Sequence, residues 1–166
     1  MEKLLFNSSY GLKMDPKQVS GEIINYMKAD DKRSYKIFIG TDSERTSKTS
    51  ADFVTAVVVH RVGNGGRYFW RRIYLENFHT LRDRILREVL ISLDMAKEFL
   101  QHFEGDHVPK FDFEIHIDVG ENGSTRTMIQ ELVAMVRANN FEARTKPDSC
   151  AASKVADRHV KNHAHV

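Results

Sequence analysis

The sequence predicts an α/β fold: a five-stranded mixed sheet, three antiparallel strands followed by parallel ones, flanked by helices. Three β-branched or aromatic runs follow one another within residues 35–76, and the second and third are joined by the glycine-rich "GNGG". Two further extended runs, near residues 111–120 and 141–147, each follow an amphipathic stretch. Strands joined across a helix lie parallel through right-handed crossovers, which makes the sheet mixed.

Each element has its own signal. In "PKQVSGEIINYMKA", residues 16–29, Val19, Ile23, Ile24 and Met27 recur at helical spacing, which predicts an N-terminal amphipathic helix. Residues 35–42 read as a first strand that ends on Asp42, "ADFVTAVVVHRV" as a second and "RYFWRRIYLE" as a third. The glycines of "GNGG", Gly63 to Gly66, supply the positive φ that a tight hairpin needs. Thr80 with Asp83 three residues on resembles a capping pair. Beyond it Leu81, Ile85, Val89, Leu93 (or Ser92), Ala96 and Leu100 form the apolar stripe of a long helix. "FDFEIHIDVG" alternates apolar and polar residues up to Asp118. "STRTMIQELVAMVRANN" is a second long helix with Ser124 as N-cap, "FEARTKP" a short fifth strand and "CAASKVADRHVKN" a last helix.

At 166 residues the chain fits a single domain, with 1–33 as a helical lead-in and 34–161 as the core. A formal charge of +2 gives no global field toward nucleic acid, although local basic patches remain available. The sole cysteine, Cys150, excludes an internal disulfide and a cysteine-based zinc site. No apolar run reaches the roughly 20 residues that span a bilayer, and the apolar start "MEKLLFNSSYG" is too short for a secretory signal. The expectation is a cytoplasmic protein with no membrane partner.

Four carboxylates stand out. Asp42 and Asp118 follow long apolar runs, and on parallel neighbouring strands they would share the crevice where open α/β sheets bind ligands. Two carboxylates about 4 Å apart repel by roughly 4 kcal/mol at an effective dielectric of 20, so the pair implies a cation. Each is equally a common turn-forming residue. Glu88 lies near the apolar stripe of its helix, where a carboxylate is awkward unless a positive charge faces it. Alternatively it is a flank residue paired with Arg84, and Asp94 is its rival for the inward position. Asp157 adjoins the small side formed by Ala151, Ala152 and Ala156, or is simply a solvated acid.

Taken with this order of elements, "IGTDS", "FVTAVVVHRVG", "REVLIS", "IHIDVG" and "KPDSCAASKVAD" resemble the YkuK-like family, small bacterial proteins of largely unassigned function in the ribonuclease H-like group. The resemblance runs from about Tyr35 to Lys161. It implies a ribonuclease H-like fold and an acidic cluster holding two divalent metals, carried onto Asp42, Glu88, Asp118 and Asp157. Mg2+ or Mn2+ suits such an all-oxygen set. Asp42 would bridge both ions, Asp118 and Glu88 would hold one and Asp157 the other, around a scissile phosphate.

The expected activity is therefore metal-dependent hydrolysis of phosphodiester bonds, with RNA, DNA or a hybrid as partner. Phosphate contacts are expected from Ser43, from Ser124 and Arg126 in "ENGSTR", and from Lys146, Lys154 and Arg158. Arg67, Arg71 and Arg72 interleave with Tyr68, Phe69 and Trp70, which suits a single-stranded nucleic acid or, equally, a core strand. His116 shares a strand face with Asp118, as a proton shuttle or a packed histidine. His159, His163 and His165 read as an exposed tail. Rival functions are a non-catalytic nucleic-acid-binding module, and a junction resolvase or exonuclease on the same fold.

Overall fold

The computed structural model describes residues 5–105 and 108–149. The predicted last helix lies outside them, and with it Asp157, Lys154 and Arg158. At the centre, β3 (Tyr35–Arg45), β4 (Ser50–Arg61) and β5 (Gly66–Glu76) form the antiparallel meander. Gly63 and Gly65 turn its second hairpin with φ of 77° and 83°, and Arg61 N–H donates to Gly65 C=O at 2.9 Å. On the far edge of β3, β6 (Phe111–His116) pairs parallel, and β7 (Glu142–Arg144) pairs parallel with β6.

Among the described residues the sheet has seven strands rather than five, in the order β2-β1-β5-β4-β3-β6-β7. The extra pair, β1 (Phe6–Ser8) and β2 (Lys13–Met14), is a hairpin inside the segment read as a helical lead-in. Ser8 closes it, its Oγ accepting from Leu12 N–H at 3.0 Å, and Gly11 takes a φ of 82°. Strands of three and two residues are too short to show a period, so nothing in the sequence marks them. Their register comes from the β5 edge, where Asn7 pairs with Trp70. Phe6, fully buried, meets Phe99 edge-on at 5.7 Å between ring centroids.

Helix α1 (Pro16–Lys28) opens with a capping box, in which the Asp15 carboxylate accepts from Gln18 N–H and the Gln18 amide oxygen accepts from Asp15 N–H. Helix α2 (Leu81–Phe103) begins where Thr80 Oγ1 accepts from Asp83 N–H at 3.0 Å. Both lie with α3 (Ile129–Ala138) on one face of the sheet, α2 packing against each of the other two. Val19, Ile23, Met27, Val89, Phe99 and Leu132 join Tyr35, Ile37, Ile39 and Ile115 there in a single buried cluster. Each such side chain contributes about 1.5–3 kcal/mol by leaving water. On the other face Phe38 and His116 stack at 4.6 Å, and Val54 and Ala56 pack with Trp70. Among the described residues no helix is long and apolar enough to cross a membrane.

Two local expectations are corrected. Asp42 does not end its strand, because β3 continues to Arg45, paired to β4 throughout. Ser124 does not cap α3: a short 3-10 turn, Arg126–Met128, intervenes, and the helix starts after Met128 without a side-chain cap.

Candidate functional site

The site grows from a mismatch in strand length. Pairing between β3 and β6 stops at Gly40 with His116, whereas β3 runs on beside β4. Two residues beyond that last pair come Asp42 on one chain segment and Asp118 on the other. Both acids therefore follow the carboxyl end of the parallel pair, where the crevice of such sheets lies, and the charge of each reaches Glu88. The segment after β6 stays anchored on its outer side. Ile117 N–H donates to Arg144 C=O at 2.9 Å, and Lys146 N–H to Val119 C=O at 2.8 Å.

Helix α2 supplies the third acid. Its inward stripe includes Ile85, Val89, Ser92, Ala96 and Phe99, and Glu88 stands within it at 4% exposure. The competing acid on this helix, Asp94, is exposed. Ser43 Oγ donates to Glu88 Oε1 at 2.7 Å, while Ser43 N–H donates to Asp42 Oδ1 at 2.9 Å. Arg84 Nη1 reaches the Ser43 carbonyl and hydroxyl at 3.4 and 3.3 Å. Arg84 therefore does not clamp Glu88 directly but approaches it through Ser43.

The electrostatics follow from this geometry. Burial pushes the Glu88 carboxyl well above the usual carboxylate range, and the negative charge of Asp42 adds to the shift. Asp118 raises it further, and the Ser43 hydrogen bond and Arg84 oppose it without winning. One buried acid thus feels the other two. Asp118, with 24% of its side chain exposed, is met by Lys146, whose Nζ lies 2.8 Å from Oδ1.

A hydroxyl chain supports the floor. Thr41 Oγ1 lies 2.8 Å from Ser92 Oγ and 3.0 Å from Thr55 Oγ1, all three residues buried. Together with Glu88, His116 and Asp118, Thr41 and Ser92 line a narrow cleft. His116 Nε2 lies 3.0 Å from Glu114 Oε2, and Arg144 Nε donates to Glu114 Oε1 at 3.2 Å. Burial lowers the His116 pKa, and pairing with Glu114 offsets this only in part. His116 is thus buried and hydrogen-bonded to a carboxylate while also lining the cleft.

Ser43 therefore bonds both Glu88 and Asp42, the charges of Asp42 and Asp118 both reach Glu88, and Lys146 meets Asp118. Ser124 and Arg126 are exposed on the connection that follows Asp118. The basic third strand is largely engaged elsewhere. Arg72 pairs with Asp52 at 3.5 Å, the Arg67 guanidinium sits 4.8 Å from the centre of the Tyr26 ring, and that of Arg71 sits 5.2 Å from the centre of the Phe6 ring. Phe69 is core. The partnership of Lys146 with Asp118 had no signal in the sequence. It depends on β7 lying beside the segment after β6, which no local pattern encodes.

A mixed sheet in this order, with acids on its first central strand, on its long helix and after its first parallel partner, defines a class of fold. The family model described as "Ribonuclease H-like" matches residues 18–161, and the chain belongs to that family. It is similar to "Uncharacterized protein YkuK" of Bacillus subtilis (strain 168), 28% identical over 172 residues, covering 96% of this chain and 99% of the relative. Membership points to a nuclease or otherwise nucleic-acid-related role. Among the described residues no three His, Cys, Asp or Glu side chains form a ready-made metal cage.

Proposed function

We propose that this protein is a divalent-metal-dependent nuclease that hydrolyses phosphodiester bonds of nucleic acid. Asp42, Glu88 and Asp118, with Asp157 as the fourth acid, are its metal-holding residues. The observation that carries this reading is Glu88. A carboxyl buried in an apolar helix stripe, within electrostatic reach of two further acids, is unfavourable in its ionised form unless a cation compensates it.

The donor set fits Mg2+ or Mn2+. It is all oxygen, Glu88 lacks an ion-pair partner of its own among the described residues, and Asp118 already accepts one cation, the Lys146 ammonium. When bound, such ions supply an activated water and neutralise charge on the leaving oxygen. The chain itself supplies position. Ser43 orients Glu88 and Asp42 together, the Thr41–Ser92 contact fixes α2 against β3, and the backbone bonds to Arg144 and Lys146 hold the Asp118 segment. Ser124, Arg126 and Lys146, together with Lys154 and Arg158, are the proposed phosphate contacts.

Labelled RNA, DNA and hybrid duplexes incubated with the protein and Mg2+ or Mn2+ provide the test. Metal-dependent cleavage is expected, with loss by Asp42→Asn of more than about 100-fold, since even outer-shell partners of metal sites cost about 10–100-fold. Binding of these substrates without cleavage in either metal would replace the enzyme with a nucleic-acid-binding module.

A further inference from the structure

The acidic site holds a cation that belongs to the chain, and it is held with some care. Lys146 is fixed at three levels. Its N–H donates to Val119 C=O at 2.8 Å, which aligns its backbone with the segment carrying Asp118. Its stem lies against Gly120, where a Cβ would come within 3.1 Å of Lys146 Cβ and 3.6 Å of its Cδ. Its ammonium ends 2.8 Å from Asp118 Oδ1. A residue with any side chain at position 120 would crowd this path. Gly120 has no positive φ to explain it, so the close approach of the lysine stem is the reason a glycine suits the position.

The lysine side chain nevertheless remains 57% exposed. Its ion pair with Asp118 is therefore of the exposed kind, weak and screened by salt, and a divalent cation can displace it from the carboxylate. Asp118 is one of the two acids whose charge reaches Glu88. A positive group on Asp118 thus also moderates repulsion within the cluster.

We propose that Lys146 is a tethered counter-ion that competes with divalent metal for Asp118. It offsets one negative charge of the cluster in the metal-free protein and sets the metal concentration at which the site fills. The inference rests on the metal-dependent reading given above. It adds the residue that regulates loading, and makes Lys146 a positioning residue acting through Asp118.

The test is Mn2+ binding to the full chain without substrate, followed calorimetrically and by the electron paramagnetic resonance signal of free Mn2+. Lys146→Met should tighten Mn2+ binding by about two- to fivefold, whereas Lys146→Arg, which keeps the charge, should stay close to wild type. Gly120→Ala, which displaces the stem without touching the ammonium, should shift affinity in the same direction as Lys146→Met. Asp118→Asn should weaken Mn2+ binding and abolish the difference between lysine and methionine at position 146. Equal affinity of wild type and Lys146→Met, or weaker binding by the variant, would overturn the counter-ion role and leave the metal site standing. Absence of Mn2+ binding in wild type and Lys146→Met alike would remove the metal-dependent reading, and this inference with it.

Discussion

Two buried acids of this protein respond to pH with opposite signs. Glu88 is raised, by burial first and by Asp42 next. A carboxyl whose folded pKa lies above its unfolded value takes up a proton on folding, so its presence lowers stability as pH rises above the ordinary value of 4.5. In chelator, Glu88→Gln should abolish that decline and raise the Tm at pH 8 relative to wild type, while Ser43 keeps an oxygen to bond. A Tm for the variant below wild type at pH 8 would show that Glu88 is compensated in some other way. Burial also acts to raise Glu114, but His116 and Arg144 outweigh it and the net direction is down. Its contribution is present above the ordinary carboxylate pKa and is lost as pH falls through the lowered folded value. Glu114→Gln should flatten the acid limb of the Tm profile below about pH 4.5, the model-compound value. Glu88 was readable as an anomaly in its stripe. The pairing of Glu114 was not, because it joins residues 30 positions apart in sequence.

Helix α2 and strand β3 carry the site, and their contact is both apolar and polar. The apolar stripe of α2 was visible from its period, and so was its N-cap at Thr80. The hydroxyl contact of Thr41 with Ser92 and Thr55 was not, since threonine and serine carry no signal of whom they will face. Thr41→Val keeps the shape and leaves those two partners short of a hydrogen bond. It should cost about 1–3 kcal/mol in urea denaturation, and an unchanged midpoint would mean that the chain is dispensable. Phe99→Ala, at the fully buried contact with Phe6, should cost about 3–5 kcal/mol by leaving a cavity. Element ends were less legible than element centres. β3 outruns its apolar stretch because β4 continues to pair with it, and α3 starts late because a 3-10 turn takes up Arg126–Met128, between the expected cap Ser124 and the helix.

The described residues form a mixed sheet with three helices on one face. If the acids act together on a cation, saturating Mn2+ should stabilise the folded chain. The gain is about 2.7 kcal/mol at 100 times the dissociation constant, read as a rise in Tm that Asp42→Asn removes. A melting curve indifferent to Mn2+ would mean that proximity of the acids serves packing alone. Strand alternation, helical period and the glycine turn were written locally, each within a window of a few residues. They were enough to yield the order of elements, the mixed sheet and the acids worth watching. Local pattern could not settle that Ser43 bonds Glu88 or that Lys146 meets Asp118, nor that a short N-terminal hairpin extends the sheet edge. Those contacts depend on inter-strand register and on helices docking across long sequence separations. Both are set by burial of the entire core, and no short window of residues carries that information.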